Sequence, residues 1–260
     1  MSKKPRILII NDDGIEAPGL KHLWNAIVEL AEVSIIAPAI EQSSVGMATT
    51  QRKPLHIFPV KWEKDTPAWK ITGTPTDCVK MALSVILDYV PDLIVSGINR
   101  GANSGRNVLY SGTVGGVIEG ILRNIPGIAF SCVDYDKPNY AVAERYIYPV
   151  ITYVLEHPLP SGTFLNVNVP DSTHQVKGVK LARQGQGYWT DNPDERLHPE
   201  GRRYYWLGGK WSHHEEDEES DVTLLKEGYL TAVPIKVKEM TDLELLRSRK
   251  DHFEQRFTGN

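Results

Sequence analysis

Apolar residues along this chain fall into two alternating textures. Ile7 to Ile10, Glu32 to Ala37, Asp92 to Gly97 and Gly127 to Val133 hold short, nearly uninterrupted apolar runs. Such runs suit parallel strands covered on both faces. Between them the period lengthens to that of a helix. Leu20, Leu23, Trp24, Ile27 and Leu30 recur behind Pro18, and Val79, Leu83, Ile86 and Leu87 recur behind Thr74-Pro75-Thr76-Asp77. That tetrapeptide reads as a helix start, with Thr74 as N-cap, Pro75 at the first helical position and Asp77 completing a capping-box pattern. A further helix is predicted from Ser111 to Arg123, where Gly115, Gly116 and Gly120 permit close packing. The alternation predicts an α/β fold built on a mostly parallel, doubly wound sheet.

Residues 47–72 break the rhythm and read as irregular chain or short antiparallel strands, punctuated by Pro54, Pro59 and Pro67. A long amphipathic helix is predicted from Tyr140 to Glu156 and a strand from Phe164 to Val169. From about residue 185 the chain turns rich in aromatics, arginine and glycine. Arg203-Tyr204-Tyr205-Trp206 before Gly208-Gly209 reads as half a hairpin with its turn. The run His213 to Glu219 reads as a solvated acidic loop, with cation binding as the alternative. A capping box from Thr241 to Glu244 opens a last helix. The expected organisation is therefore a core domain over 1–184 and a hairpin-and-helix region over 185–260, too extended to bury its own aromatics and suited to clasping another subunit.

A length of 260 residues accommodates one large domain with an appendage. A net charge of −4 argues against a nucleic-acid polymer or a membrane surface as partner, though not against a small phosphorylated substrate met through a cation. The two cysteines, Cys78 and Cys132, form no metal-type or redox pair, so reduced core thiols are expected. No segment reaches transmembrane length, and Ile7–Ile10 is too short for a signal-peptide core, so the expected location is cytoplasmic.

The chemistry gathers where predicted strands end. Asn11-Asp12-Asp13-Gly14 follows the first strand. Two ionised carboxylates about 4 Å apart repel by about 4 kcal/mol at an effective dielectric of about 20. They therefore share a proton or are held by a cation, and oxygen donors alone favour a hard one. The plainer reading is a polar turn with Asp13 capping the next helix. Ser43-Ser44 follows the second strand and Asn99 the third, and open α/β sheets bring such ends to one edge. Taken singly, the serines read as loop or cap and the asparagine as a turn. Tyr110-Ser111-Gly112-Thr113 precedes an apolar helix and offers either an anion cradle or a simple N-cap. Neither a Walker loop nor a dinucleotide fingerprint is present.

These segments occur in the order seen in the SurE family, the stationary-phase survival proteins, which are metal-dependent nucleoside monophosphate phosphatases. The resemblance rests on Ile9 to Gly14, the Ser43 loop, Gly73 to Val79, Val95 to Gly101 and Tyr110 to Thr113. Pro126 to Ala129, Leu165 to Pro170 and Tyr204 to Trp206 extend it over nearly the whole chain. It implies a Rossmann-like three-layer core and a homodimer or homotetramer that exchanges carboxyl-terminal elements. It implies one divalent cation per subunit (magnesium, manganese or calcium) at Asp12, Asp13, Ser43 and Asn99, and phosphate contacts from Asn103, Ser111, Gly112 and Thr113. The implied activity is hydrolysis of nucleoside 5′-monophosphates to nucleoside and phosphate, with 3′-monophosphates and short polyphosphate as further candidates. Asp12 and Asp13 are the candidate catalytic residues. One departure is visible: many relatives carry proline at position 102 and acidic residues near 106–107, where this chain has Ala102, Arg106 and Asn107.

Two other classes of function compete. A non-catalytic nucleotide-binding module would not need paired carboxylates after its first strand. A structural oligomerisation protein would place its function in the aromatic second half. A phosphatase with an aspartate nucleophile is disfavoured, because that class spaces its two aspartates by one residue.

Overall fold

Nine strands form one twisted sheet in the computed structural model, which describes residues 4–171 and 175–257. Residues 1–3, which precede the short apolar run Ile7–Ile10 in sequence, lie outside the described residues. Strands β1 (Arg6–Ile10), β2 (Glu32–Pro38), β3 (Ile57–Pro59), β4 (Ala68–Ile71), β5 (Leu93–Arg100), β6 (Gly127–Cys132), β7 (Thr163–Val169) and β8 (Val179–Leu181) belong to it, joined by a late strand at Leu230–Lys236. The order runs β3-β4-β2-β1-β5-β6-β7, then the late strand, then β8. From β4 to β7 neighbouring strands are parallel, whereas β3 and the late strand run antiparallel to β4 and β7. The chain leaves β1 toward β2 and β4, then crosses back to β5, which makes the gap between β1 and β5 the topological switch point.

Helices cover both faces. α1 (Pro18–Ile27) and α4 (Tyr140–Glu156) pack with Ile7, Ile9, Ile35, Val95 and Phe130 on one side. α2 (Pro75–Met81) and α3 (Gly112–Leu122) lie on the other, where Leu8, Ile10, Ile36 and Ile94 point. Alternate residues of β1 thus feed opposite layers, so its side chains are apolar from Ile7 to Ile10. The capping box forms as expected: the Asp77 amide donates to Thr74 Oγ1 at 3.1 Å and the Thr74 amide to Asp77 Oδ2 at 3.0 Å. After Met81 the helix relaxes into a π-helical turn over Ala82–Ile86. No helix of the described residues is long and apolar enough to cross a membrane.

The second half departs from expectation in three places. β9 (Tyr188–Thr190), β10 (Asp194–Leu197), β11 (Arg203–Trp206) and β12 (Lys210–Ser212) form two small antiparallel ribbons. β11 pairs backward with β10 across residues 198–202, and Gly208-Gly209 instead leads into β12, which pairs with β9. Gly208-Gly209 therefore links two ribbons and is not the turn of a hairpin begun by β11, because glycines mark a turn without naming its partner strand. α5 (Asp221–Lys226) then leads to β13 (Leu230–Lys236), the late strand of the main sheet, so residues 230–236 are structurally part of the core. Finally, α6 (Leu243–Gln255) is capped by Asp242, whose Oδ1 accepts the Leu245 amide at 2.8 Å, and not by Thr241.

Candidate active site

Asp12 and Asp13 sit directly beyond β1 at the switch point. Asp12 is 5% exposed, and the Thr113 hydroxyl donates to its Oδ1 at 2.5 Å. Asp13 is half-buried, and its Oδ2 accepts the Arg100 amide at 3.2 Å, which ties the first loop to the end of β5. Burial pushes the Asp12 carboxyl up to about 6 despite the Thr113 bond. Burial, reinforced by the Asp12 charge, pushes Asp13 up to about 7. No Lys, Arg or His among the described residues forms an ion pair with either. Asp13 does not cap α1, whose N-cap is Ala17.

Ser43 is exposed on the loop after β2 and donates to Glu41 Oε1 at 2.5 Å, so its lone pairs stay open to a cation. The loop is seated by close approach. A Cβ on Gly115 would lie 2.2 Å from the Gly46 carbonyl oxygen, so only glycine lets α3 rest against it. Asn99 falls within β5 rather than after it, because the strand continues past an irregularity between Ser96 and Asn99 and pairs again with β6. Its side-chain amide donates to the Gly101 carbonyl at 2.8 Å.

Ser111 is the N-cap of α3. Its Oγ accepts the Val114 amide at 3.2 Å, which leaves its hydroxyl hydrogen available to an anion. Gly112 brings the start of α3 against the carboxylates: a Cβ there would lie 2.9 Å from Asp12 Cβ. Thr113 is fully buried and spends its hydroxyl hydrogen on Asp12, so it orients that carboxylate. Asn103 is gripped on several sides. Its Nδ2 donates to Ser131 Oγ at 2.9 Å, its amide to Asn168 Oδ1 at 2.9 Å, and its carbonyl accepts Asn166 Nδ2 at 2.8 Å. A cleft of about 890 Å³ runs past Asp12, Ser43, Asn99, Asn103 and Ser111.

Several supporting residues escaped the reading of the chain. Ser131, Asn166 and Asn168 hold Asn103 from β6 and β7, and alternating Asn in an apolar strand was the available signal. Asp221, 1% exposed, accepts the Gly105 amide at 3.0 Å and the Gly185 amide at 2.8 Å. Within the acidic run, Glu216 accepts the Gly187 amide at 2.7 Å and Asp217 pairs with Arg183 at 3.0 Å, so that run is partly structural.

Comparison with known proteins identifies the scaffold. The family model described as "Survival protein SurE" matches residues 7–191. The chain belongs to the SurE family. A SurE relative from Protochlamydia amoebophila, named 5′-nucleotidase SurE, is 48% identical over 98% of each chain. One from Natranaerobius thermophilus, also named 5′-nucleotidase SurE, is 43% identical over 94% of this chain and 96% of the relative. The crystal structure of a SurE protein from Aquifex aeolicus superposes with a TM-score of 0.81 at 33% identity, covering 96% of this chain and all of the other.

Whether the SurE switch-point residues suit a metal ion follows from their chemistry. No three His, Cys, Asp or Glu side chains converge among the described residues. The donors are two carboxylates with the neutral oxygens of Ser43 and Asn99, an all-oxygen set that suits a hard cation retaining some water. Two adjacent carboxylates without a basic side chain in an ion pair are the arrangement such a charge would relieve.

Proposed function

We propose that this chain is a divalent-metal-dependent phosphomonoester hydrolase that converts nucleoside 5′-monophosphates to nucleoside and phosphate. The observation that carries the reading is the meeting of Asp12 and Asp13 with the start of α3 at the β1/β5 switch point. The name carried by the relatives agrees with it. Asp12, Asp13, Ser43 and Asn99 are the residues that would hold the cation. When bound, it would neutralise phosphate charge and lower the pKa of a coordinated water.

The remaining work falls to the chain itself. The Gly112 amide, at the first position of α3, has no intrahelical acceptor and adds a donor at the positive end of the helix dipole. With the Ser111 hydroxyl it would receive the equatorial phosphate oxygens as charge builds in the transition state. Thr113 fixes Asp12 in place, and one carboxylate of the pair accepts the proton of the attacking water. Asn103 lines the cleft, and its Nδ2 donates to Ser131 Oγ at 2.9 Å and to Thr113 Oγ1 at 3.4 Å, so it would reach a phosphate oxygen by giving up the longer of these bonds.

The exposed apolar faces point to a homodimer or homotetramer. Leu245, Leu246 and Phe253 of α6 and Tyr205 and Trp206 of β11 are at least 47% exposed, and α6 buries no residue. Covering them with a second copy is the reading the chemistry supports.

Phosphate release from AMP, measured with chelator and after adding magnesium or manganese, tests the activity. Release is expected only with metal. A rate indifferent to chelator, or no release with either metal, would remove the proposal.

A further inference from the structure

The cleft extends well past the residues assigned to metal and phosphate. Its far wall comes from the second half of the chain, from Trp189, Thr190, Asp191, Gly208, Gly209 and Trp211. These residues lie on β9, on β12 and on the chain flanking them, a two-stranded ribbon separate from the main sheet.

Trp189 is distinctive there. Its side chain lines the cleft while the residue is 58% exposed. Tyr110 at 58% and Tyr135 at 55% line the same cleft beside Ser111 and Arg100, so Trp189 is the exposed aromatic ring that the second half of the chain adds to it. The ring is not loose, however. It packs edge-to-face with Trp211, with centroids 5.6 Å apart and planes at 80°. Its Cε3 lies 3.5 Å from the position a Cβ would take on Gly209, so the residue opposite adds little bulk. The backbone beneath it is anchored to the catalytic side, since the Trp189 amide donates to Asn107 Oδ1 at 3.0 Å. Asn107 belongs to the turn Gly105–Leu109 that separates Asn103 from Ser111. The platform and the phosphate cradle are therefore registered to each other through one short turn.

Resting on the nucleotidase reading above, we propose that Trp189 is the platform on which the nucleobase of the substrate stacks. A nucleoside monophosphate has one anionic end and one flat aromatic end. The cleft has an anion cradle at Ser111–Gly112 and an oriented indole at Trp189. Aromatic stacking accepts any base, because every base presents a π-face. Trp189 thus distinguishes esters that carry a base from those that do not, and acts on KM more than on turnover.

The test compares AMP with ribose 5-phosphate, which keeps the sugar and phosphate and lacks the base. In metal-loaded enzyme, Trp189→Ala is expected to lower the AMP to ribose 5-phosphate ratio of kcat/KM by at least about tenfold, mainly through the KM for AMP. Trp189→Phe retains most of the ratio, which separates stacking from general damage to the ribbon. A ratio within about twofold of wild type in Trp189→Ala, while wild type hydrolyses both esters, overturns the platform and leaves the nucleotidase reading intact. Hydrolysis of neither ester by wild type overturns both. A matching loss in Trp189→Phe also overturns the platform.

Discussion

Among single residues, Asp12 and Asp13 dominate because the fold buries like charges side by side. Their ordinary carboxyl pKa of 3.8 rises to about 6 and about 7 in the metal-free protein. The folded state therefore binds more protons than the unfolded chain between about pH 4 and about pH 7. Stability from this pair is lost as pH rises through that window. In chelator near pH 8, Asp13→Asn is expected to melt about 2–4 °C above wild type, and near pH 4 that gain disappears. Thermal melts at the two pH values check the sign. In metal, Asp12→Asn and Asp13→Asn each lower turnover by about 100-fold or more with circular dichroism unchanged; wild-type rates in both would contradict the assignment. Gly112→Ala introduces a methyl group against Asp12, so a drop of about tenfold or more in kcat with a modest Tm change is expected.

Among elements, the loop after β5 and the segment 183–187 depend on Asp221. This buried carboxylate bonds the amides of Gly105 and Gly185, and α5 delivers it there with Ser220 as N-cap. Bonds from amides to a buried charge contribute roughly 1.5–3 kcal/mol, and removing the acceptor strands the donors. Asp221→Ala is expected to lower Tm by roughly 4–8 °C and to raise the KM for AMP more than it lowers kcat. An unchanged Tm would show that the junction is held by other contacts, such as the Arg106 amide to the Gly187 carbonyl at 2.9 Å.

For the whole molecule, the exposed leucines and the single phenylalanine, Phe253, of α6 predict assembly. Light scattering at micromolar concentration is expected to give at least twice the chain mass, and Leu246→Asp with Phe253→Asp to shift it toward one chain. A wild-type mass of one chain would contradict this. The strands and helices of the first half were legible because a sheet covered on both faces demands uninterrupted apolar runs, and its helices demand one apolar face. The second half was less legible. β9 to β12 are three or four residues long and mostly exposed, so they carry little periodicity.

The linear chain was enough to establish the α/β alternation, the Thr74 capping box and the candidate oxygen donors, because these follow from local period, local hydrogen bonding and residue chemistry. It could not establish that Thr113 orients Asp12, that Ser131, Asn166 and Asn168 grip Asn103, that β13 returns to the sheet, or that Trp189 faces the cleft. Each of these joins residues far apart along the chain, and such pairings exist only once the sheet has set which strand ends are neighbours.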